Sequence, residues 1–237
     1  MSINRYLAMT AAEFSSVEQL PKQIAWMACH FSCYGAGITN LPRELPVNSI
    51  IILNDRTPIH GHDPKEIAKQ LSNLADIYSV SAFLLDFQRP NNEQTHTLVK
   101  HLVNALPLPV GVTDYYAKGI NCPVFLPPPP LDTTLSGYLS PWNGREIWLE
   151  IAEDSQIITV TKTENSMSPL LDNNLCEPFF TEEDLFCNYH IETYDDRACI
   201  TLHRGESMLK KMLNAAEKMG VTTAIGLYQE LKDWNIS

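Results

Sequence analysis

Basic runs, glycine-rich phosphate loops, cysteine pairs and long apolar stretches are all missing from this chain, and each absence removes a class of function. Lysine and arginine number 17 against 28 aspartates and glutamates, for a formal net charge of −11, and no Lys/Arg run occurs. Nucleic acid and anionic membrane both need clustered positive charge, so neither is expected as a partner. No stretch approaches the roughly 20 apolar residues that span a bilayer. The opening MSINRYLAMTAAEF has no apolar core of the signal-peptide kind. The six cysteines form no C-x-x-C pair. Cys29, Cys122, Cys187 and Cys199 lie in strand-like runs, where a free thiol packs as a small hydrophobe. Together these features imply a reduced, cytoplasmic location.

Cofactor motifs are absent as well. No G-x-x-x-x-G-K-[ST] occurs, and Tyr34-Gly35-Ala36-Gly37 lacks the third glycine and the following helix that a dinucleotide loop needs. Neither Ser32 nor Ser136 sits in a G-x-S-x-G elbow. Cys29 and His30 cannot act as a dyad on one strand, because adjacent side chains point to opposite faces. No cofactor is expected.

What is present is a core-forming α/β pattern. Hydrophobic residues make up 44% of the 237 and charged residues 19%, ordinary for a globular protein. Ile24–His30 and Ser49–Asn54 read as strands, the second apolar almost throughout, as a strand buried on both faces should be. A helix opens at Asp63-Pro64-Lys65-Glu66, with Asp63 as cap, Pro64 at the first helical position and Glu66 completing a capping box. Ile67, Leu71, Leu74 and Ile77 make its apolar face. Ala82–Phe87 is a third strand, followed by a helix over Glu93–Ala105 that turns Leu98, Leu102 and Val103 to the sheet. Pro109–Thr113 and Pro123–Leu126 follow with little room for a helix, and Pro127–Pro130 is a rigid extended exit.

Beyond Arg145, Glu146–Ala152 and Gln156–Thr163 read as a hairpin turning at Glu153-Asp154-Ser155. Leu185–Glu192 and Arg197–His203 form a second pair around Tyr194-Asp195-Asp196. An amphipathic helix over Glu206–Lys218 ends at Gly220, and a last strand, Thr222–Tyr228, leads to a tail helix over Gln229–Trp234. Alternating strands and helices imply parallel pairing with right-handed crossovers. The expected fold is α/β, a (β/α)8 TIM-like barrel in one domain over 1–237. Some of its helices are shortened or replaced by loops, and a β-hairpin is inserted at 145–163. A doubly wound open sheet with an added hairpin region is the other architecture the pattern permits.

Barrel enzymes carry their working groups at the C-terminal ends of the strands. That rule selects Asn54, Asp55 and Arg56 after the second strand and Asp86, Gln88 and Arg89 after the third. It also selects Asp114, Tyr115 and Tyr116 after the fourth, Glu150 and Tyr189 within later strands, and Tyr228, Gln229 and Glu230 after the last. The segment FLLDFQ, ending at Gln88, resembles the strand motif of family 18 glycosidases (chitinases and chitinase-like proteins), an apolar run ending in D-x-E. The likeness extends to Asp114-Tyr115-Tyr116 and to Gly226-Leu227-Tyr228-Gln229-Glu230, similar to a last strand that ends in an aromatic platform. The resemblance implies that Asp86 holds an acetamido group of the substrate and that Gln88 stands where the family has its proton-donating glutamate. The family's further upstream aspartates are not matched, with Ser81 and Leu84 in that stretch.

Glutamine has no proton to pass to a leaving oxygen. The chain is therefore expected either to bind an amino-sugar or cell-wall-type fragment without cleaving it, or to use another carboxyl group such as Asp55, Asp114 or Glu150. Asp86, Gln88, Asp114 and Glu150 are the candidate catalytic positions. Asp55, Arg89, Tyr115, Tyr116, Tyr189, Tyr228 and Gln229 are candidates for substrate contact, and a small carbohydrate is the expected ligand. Two alternatives stand beside this reading. His60-Gly61-His62 with Asp55 and Asp86 could form a metal-assisted hydrolase, although the pair follows a Pro58 turn and Asp63 already has a capping role; no metal is expected. A non-catalytic scaffold would instead expose an apolar patch.

Overall fold

The run Ile50-Ile51-Ile52-Leu53 is buried from end to end, and its strand is one of eight that close into a ring. The computed structural model describes residues 2–33, 37–59, 61–90, 92–162, 165–169 and 180–233. Tyr34 and His60, singled out in the sequence, lie outside them, as do the last residue of the run to Thr163 and Trp234.

In chain order the elements begin with β1 (Asn4–Met9), α1 (Ala11–Ser16), β2 (Ile24–Phe31), β3 (Ile38–Thr39), β4 (Ile50–Asn54) and α2 (Pro64–Tyr78). They continue with β5 (Ala82–Asp86), α3 (Glu93–Ala105), β6 (Val110–Thr113), α4 (Asp114–Ala117), β7 (Val124–Leu126), α5 (Leu135–Leu139) and β8 (Ile147–Ile151). Then come β9 (Asp154–Thr161), β10 (Asn165–Pro169), β11 (Phe180–Glu182), β12 (Cys187–Thr193) and β13 (Arg197–Arg204). The last are α6 (Glu206–Lys218), β14 (Val221–Leu227) and α7 (Tyr228–Leu231). Among the described residues no helix is long and apolar enough to cross a membrane.

The barrel runs β1-β2-β4-β5-β6-β7-β8-β14 and back to β1, all parallel. Closure depends on β1, which pairs Leu7 with Ile24 on one side and Asn4 with Thr223 on the other. The sequence reading passed over this strand because its first residues, Asn4-Arg5-Tyr6, carry no apolar run. The expected hairpin over 145–163 is corrected. β8 pairs in parallel with β7 and β14 as a barrel strand, whereas β9 pairs with β10 and β13 in a separate antiparallel sheet, ordered β10-β9-β13-β12-β11. The burial of each strand explains the split. Ile147, Trp148, Leu149 and Ile151 are all buried, as a strand covered on both faces requires, while β9 is half-buried along its length. The turn at Tyr194-Asp195-Asp196 does join a hairpin, β12 to β13.

Outside the ring, Ile67, Leu71 and Leu74 of α2, Leu98 and Leu102 of α3 and Leu209 and Met212 of α6 pack on the strands. Asp63 caps α2 by accepting from the Lys65 amide at 3.0 Å. Ile77, expected on its buried face, is 67% exposed. Four residues after Leu74 comes Tyr78, which takes that place and donates its hydroxyl to the Pro42 carbonyl at 2.5 Å. The inserted sheet is tied to the barrel by Arg204, 1% exposed, whose guanidinium donates to the carbonyls of Pro129 at 2.6 Å, Leu185 at 3.0 Å and Phe186 at 3.2 Å. The rigid proline exit after β7 thus offers a fixed acceptor for the far end of the insertion.

Inside the ring, Ala8, Ile50, Ile52, Ala82, Leu84, Phe125, Trp148 and Ile225 form one cluster. Trp148 lies across the lumen against Gly111 of β6, where an added Cβ would come within 2.4 Å of its ring. Gly111→Ala is expected to lower stability by about 1–3 kcal/mol through overpacking. Urea denaturation measures this, and an unchanged midpoint would contradict a lumen filled by Trp148.

Candidate functional site

Successive residues of a strand face opposite ways, so the lumen cluster predicts what comes next on each strand. Ile50 and Ile52 lead to Asn54, Ala82 and Leu84 lead to Asp86, and Trp148 leads to Glu150. Each strand therefore ends its inward column with a polar group at the C-terminal mouth. Asn54 and Asp86 are register partners on adjacent strands, and Glu150 stands opposite Ile225 of β14. A hollow of about 150 Å³ within the mouth is lined by Asn54, Asp86, Gln88, Phe125, Glu150 and Leu227, among others. A second hollow of about 340 Å³ adjoins it, lined by Phe87, Gln88, Asp114, Tyr115, Phe125 and Glu150. Gln88, Phe125 and Glu150 face both.

The exit of β5 is pinned from the neighbouring strand. Asp55, 4% exposed, accepts from the backbone amides of Gln88 at 2.9 Å and Arg89 at 2.8 Å. Arg89 returns the contact, donating to the carbonyls of Asp55 and Arg56, each at 2.7 Å. Gln88 is held in turn at its side chain, Nε2 donating to Oδ1 of Asp86 at 2.6 Å. Asp55 and Arg89 thus position the loop that presents Gln88. Asp55 was expected to touch substrate, but its buried carboxylate is taken up by these amides.

The two tyrosines after β6 divide sharply. Tyr115 is 54% exposed and lines the larger hollow, while Tyr116 is 1% exposed and donates its hydroxyl to the Arg89 carbonyl at 2.9 Å. Tyr116 is therefore core, correcting its expected contact role. Its burial follows from facing away from the mouth, edge-on to Phe87. Tyr189 is also displaced from the mouth. It belongs to β12 of the inserted sheet, where it packs beside Phe180 and against the cluster of Leu131, Cys187 and Leu202. Tyr228 and Gln229 open α7 directly after the Leu227 that lines the mouth, Tyr228 half-buried and Gln229 exposed. Asp114 accepts from the Tyr115 amide at 2.7 Å and lines the larger hollow.

Two contributors, Phe125 and Tyr138, escaped the sequence reading, and Glu230, selected at the end of the last strand, is given no role there. Phe125 is the inward residue of the short Pro-Val-Phe-Leu strand, a place that its alternation marks. Tyr138 of α5 donates to the Pro127 carbonyl at 2.8 Å, its hydroxyl kept protonated by burial and by the nearby charges of Asp114 and Glu150. Glu230 of α7 has a buried Oε2 with no hydrogen-bond partner among the described residues. Nothing in the local pattern marks Tyr138.

The electrostatics of the mouth favour retained protons. Burial, then Asp86, then Glu230 raise Glu150 from an ordinary 4.5 to about 7. Asp86 is raised by burial and by Asp55, against the lowering effect of the Gln88 amide. Glu230 is raised by burial and then by Glu153. A carboxyl group that keeps its proton near neutrality can donate it, which an ordinary surface carboxylate cannot.

Among the described residues, no group of three or more His, Cys, Asp or Glu side chains is placed to hold a metal ion. His62 is buried with its ring against Phe31 at 5.0 Å, and Asp55 is committed to the β5 exit. His60, a further ligand of the metal-assisted alternative, lies outside the described residues.

No family model matches the chain, and no curated protein matches it either. Solved structures match in fold. The spore cortex-lytic enzyme SleL of Bacillus cereus aligns over 95% of this chain and 70% of its own, with 8% identity and a TM-score of 0.56. A GH18 chitinase of Cycas revoluta aligns over 94% of both chains, with 10% identity and a TM-score of 0.58. A class V chitinase of Nicotiana tobaccum aligns over 95% of this chain and 93% of its own, with 8% identity and a TM-score of 0.59. The fold is a closed eight-stranded parallel barrel that matches those of family 18 glycosidases. At such identities the likeness is one of fold; this barrel has an apolar lumen and ends β5 at Asp86, followed by Phe87 and Gln88.

The raised Glu150 has a thermodynamic consequence. Between its ordinary and raised pKa the folded protein holds a proton that the unfolded chain has released. Its contribution to stability is therefore full below about 4.5 and is lost as pH rises through about 7. Glu150→Gln is expected to match the wild type near pH 4 and to exceed it at pH 8 by on the order of 3 kcal/mol. Denaturation across that range measures the difference, and a constant gap would contradict the assignment.

Proposed function

We propose that the C-terminal mouth of this barrel binds an oligosaccharide of N-acetylated amino sugars, of the chitin or cell-wall type. The observation that carries this reading is the convergence of Asp86, Gln88 and Glu150 on two adjoining hollows at that mouth. A sugar needs both hydrogen-bonding groups and apolar faces, and the hollows offer carboxyl and amide groups beside Phe125 and Tyr115. Asp86 is the group for the acetamido N–H, with Gln88 alongside as a neutral amide. Tyr115 and Tyr228 are the stacking candidates at the rim, and Gln229 is a polar one.

The solved structures of the same fold support the choice of ligand. The Cycas and Nicotiana chitinases are each solved as a glutamate-to-glutamine variant in complex with a tetramer of N-acetylglucosamine. A related fold from Paenibacillus barengoltzii is a family 18 N-acetylglucosaminidase. Sugar binding does not require an acidic side chain at the Gln88 position, because the amide can donate and accept hydrogen bonds.

Thermal denaturation with (GlcNAc)4, and with maltotetraose as a neutral comparison, tests the reading. Ligand at about 100 times Kd stabilises the folded state by about 2.7 kcal/mol. The expected result is a rise in Tm with (GlcNAc)4 alone, lost in Asp86→Ala. Equal shifts with both sugars, or none with either, would overturn it.

A further inference from the structure

The family 18 resemblance leaves the site without its proton donor, and the wall opposite Gln88 supplies a candidate. Glu150 lies three strands round the ring from the Asp86 strand and lines the same two hollows as Gln88. It is the inward residue directly above Trp148, so the filled lumen beneath leaves its carboxyl group nowhere to turn but the mouth. The two side chains differ in what they have free. Gln88 already donates one amide hydrogen to Asp86, and neither its second N–H nor its carbonyl oxygen can give up a proton to a leaving group. Glu150 has no hydrogen-bond partner among the described residues.

We infer that Glu150 is the proton donor of this barrel, the acid position having moved from β5 to β8, so that the site hydrolyses the glycosidic bond of the sugar it binds. The inference rests on the mouth being a saccharide site. Glu150 gives its proton to the glycosidic oxygen as the C1–O bond breaks, and the bonding pair leaves with that oxygen. Positive charge developing at C1 is offset by the carboxylate of Asp86. Water then adds to C1 and passes a proton to the Glu150 carboxylate, which restores the starting state. Sugar and water are the only reactants, and no redox change occurs.

The surroundings suit the role. The charged groups that act on Glu150 are Asp86 from β5 and Glu230 from α7, both acidic, and Tyr138 faces it from α5 with Asp114 beyond. Negative neighbours and burial hold the proton on Glu150 up to about pH 7. An acid of this kind works best near its own pKa.

Hydrolysis of two substrates by the full chain tests this. (GlcNAc)4 has a leaving group that must be protonated, whereas the 2,4-dinitrophenyl glycoside of (GlcNAc)2 does not. Glu150→Gln should lose about 10²–10⁴-fold in kcat on the first and about 10-fold or less on the second. Wild-type kcat on (GlcNAc)4 should fall as pH rises through about 7, with that limb absent from the variant. A Tm no lower than the wild type's and retained (GlcNAc)4 binding in Glu150→Gln exclude misfolding as the cause, and Glu150→Asp should recover part of the rate. Equal losses on both substrates would reduce Glu150 to a structural part and overturn the inference. So would wild-type protein that binds (GlcNAc)4 but never cleaves it, although the binding reading would then stand. Failure to bind any of these sugars would remove the binding reading itself.

Discussion

A closed ring of parallel strands must dispose of every second side chain within its own lumen. That requirement shapes the rest of this molecule. Ala8, Ile50, Ile52, Ala82 and Leu84 fill the lower levels, and Trp148 reaches across to the space that Gly111 leaves. With the interior full, the next inward residues have only the mouth to occupy. Asn54, Asp86 and Glu150 are set there by the pleat of their strands, and the site is the top layer of the same packing that holds the barrel together.

Placing carboxyl groups above an apolar plug has an electrostatic cost, because each loses water on one side and faces another carboxyl group on the other. The protein meets it in two ways. Asp55 is satisfied by the Gln88 and Arg89 amides and in turn fixes the β5 exit. Asp86 has the Gln88 amide, while Glu150 has no such partner and the pKa of its carboxyl group is raised to about 7. Gln88 thus gives Asp86 a donor without adding another acid to a crowded mouth.

The fold was legible wherever one element's local pattern decided its partners. The Asp63 cap, the apolar face of α3 and the unbroken burial of β4 follow from spacing alone. β1 escaped because its pairing is with both ends of the chain at once, through Leu7 to Ile24 and Asn4 to Thr223, and nothing within Asn4–Met9 announces it. β8 and β9 read as a hairpin because a short polar turn separates them, although the burial of their side chains sends them to different sheets. In the site, Asp86 and Gln88 are visible from FLLDFQ, and Glu150 stands out as one acid in the apolar run Ile-Trp-Leu-Glu-Ile. Tyr116 and Tyr189 resemble binding aromatics in sequence. Only three-dimensional packing reveals that one faces the core and the other belongs to the inserted sheet. Tyr138 approaches the mouth from α5, a convergence that no local pattern encodes.

The central claim is that the mouth above Trp148 receives a saccharide between Asp86 and Glu150. A crystal structure of the protein soaked with (GlcNAc)4 addresses it most directly. The account predicts a sugar ring over Phe125, with its acetamido group at Asp86 and a glycosidic oxygen within hydrogen-bond distance of the Glu150 carboxyl. A saccharide seated elsewhere on the molecule, with the mouth untouched, would contradict it.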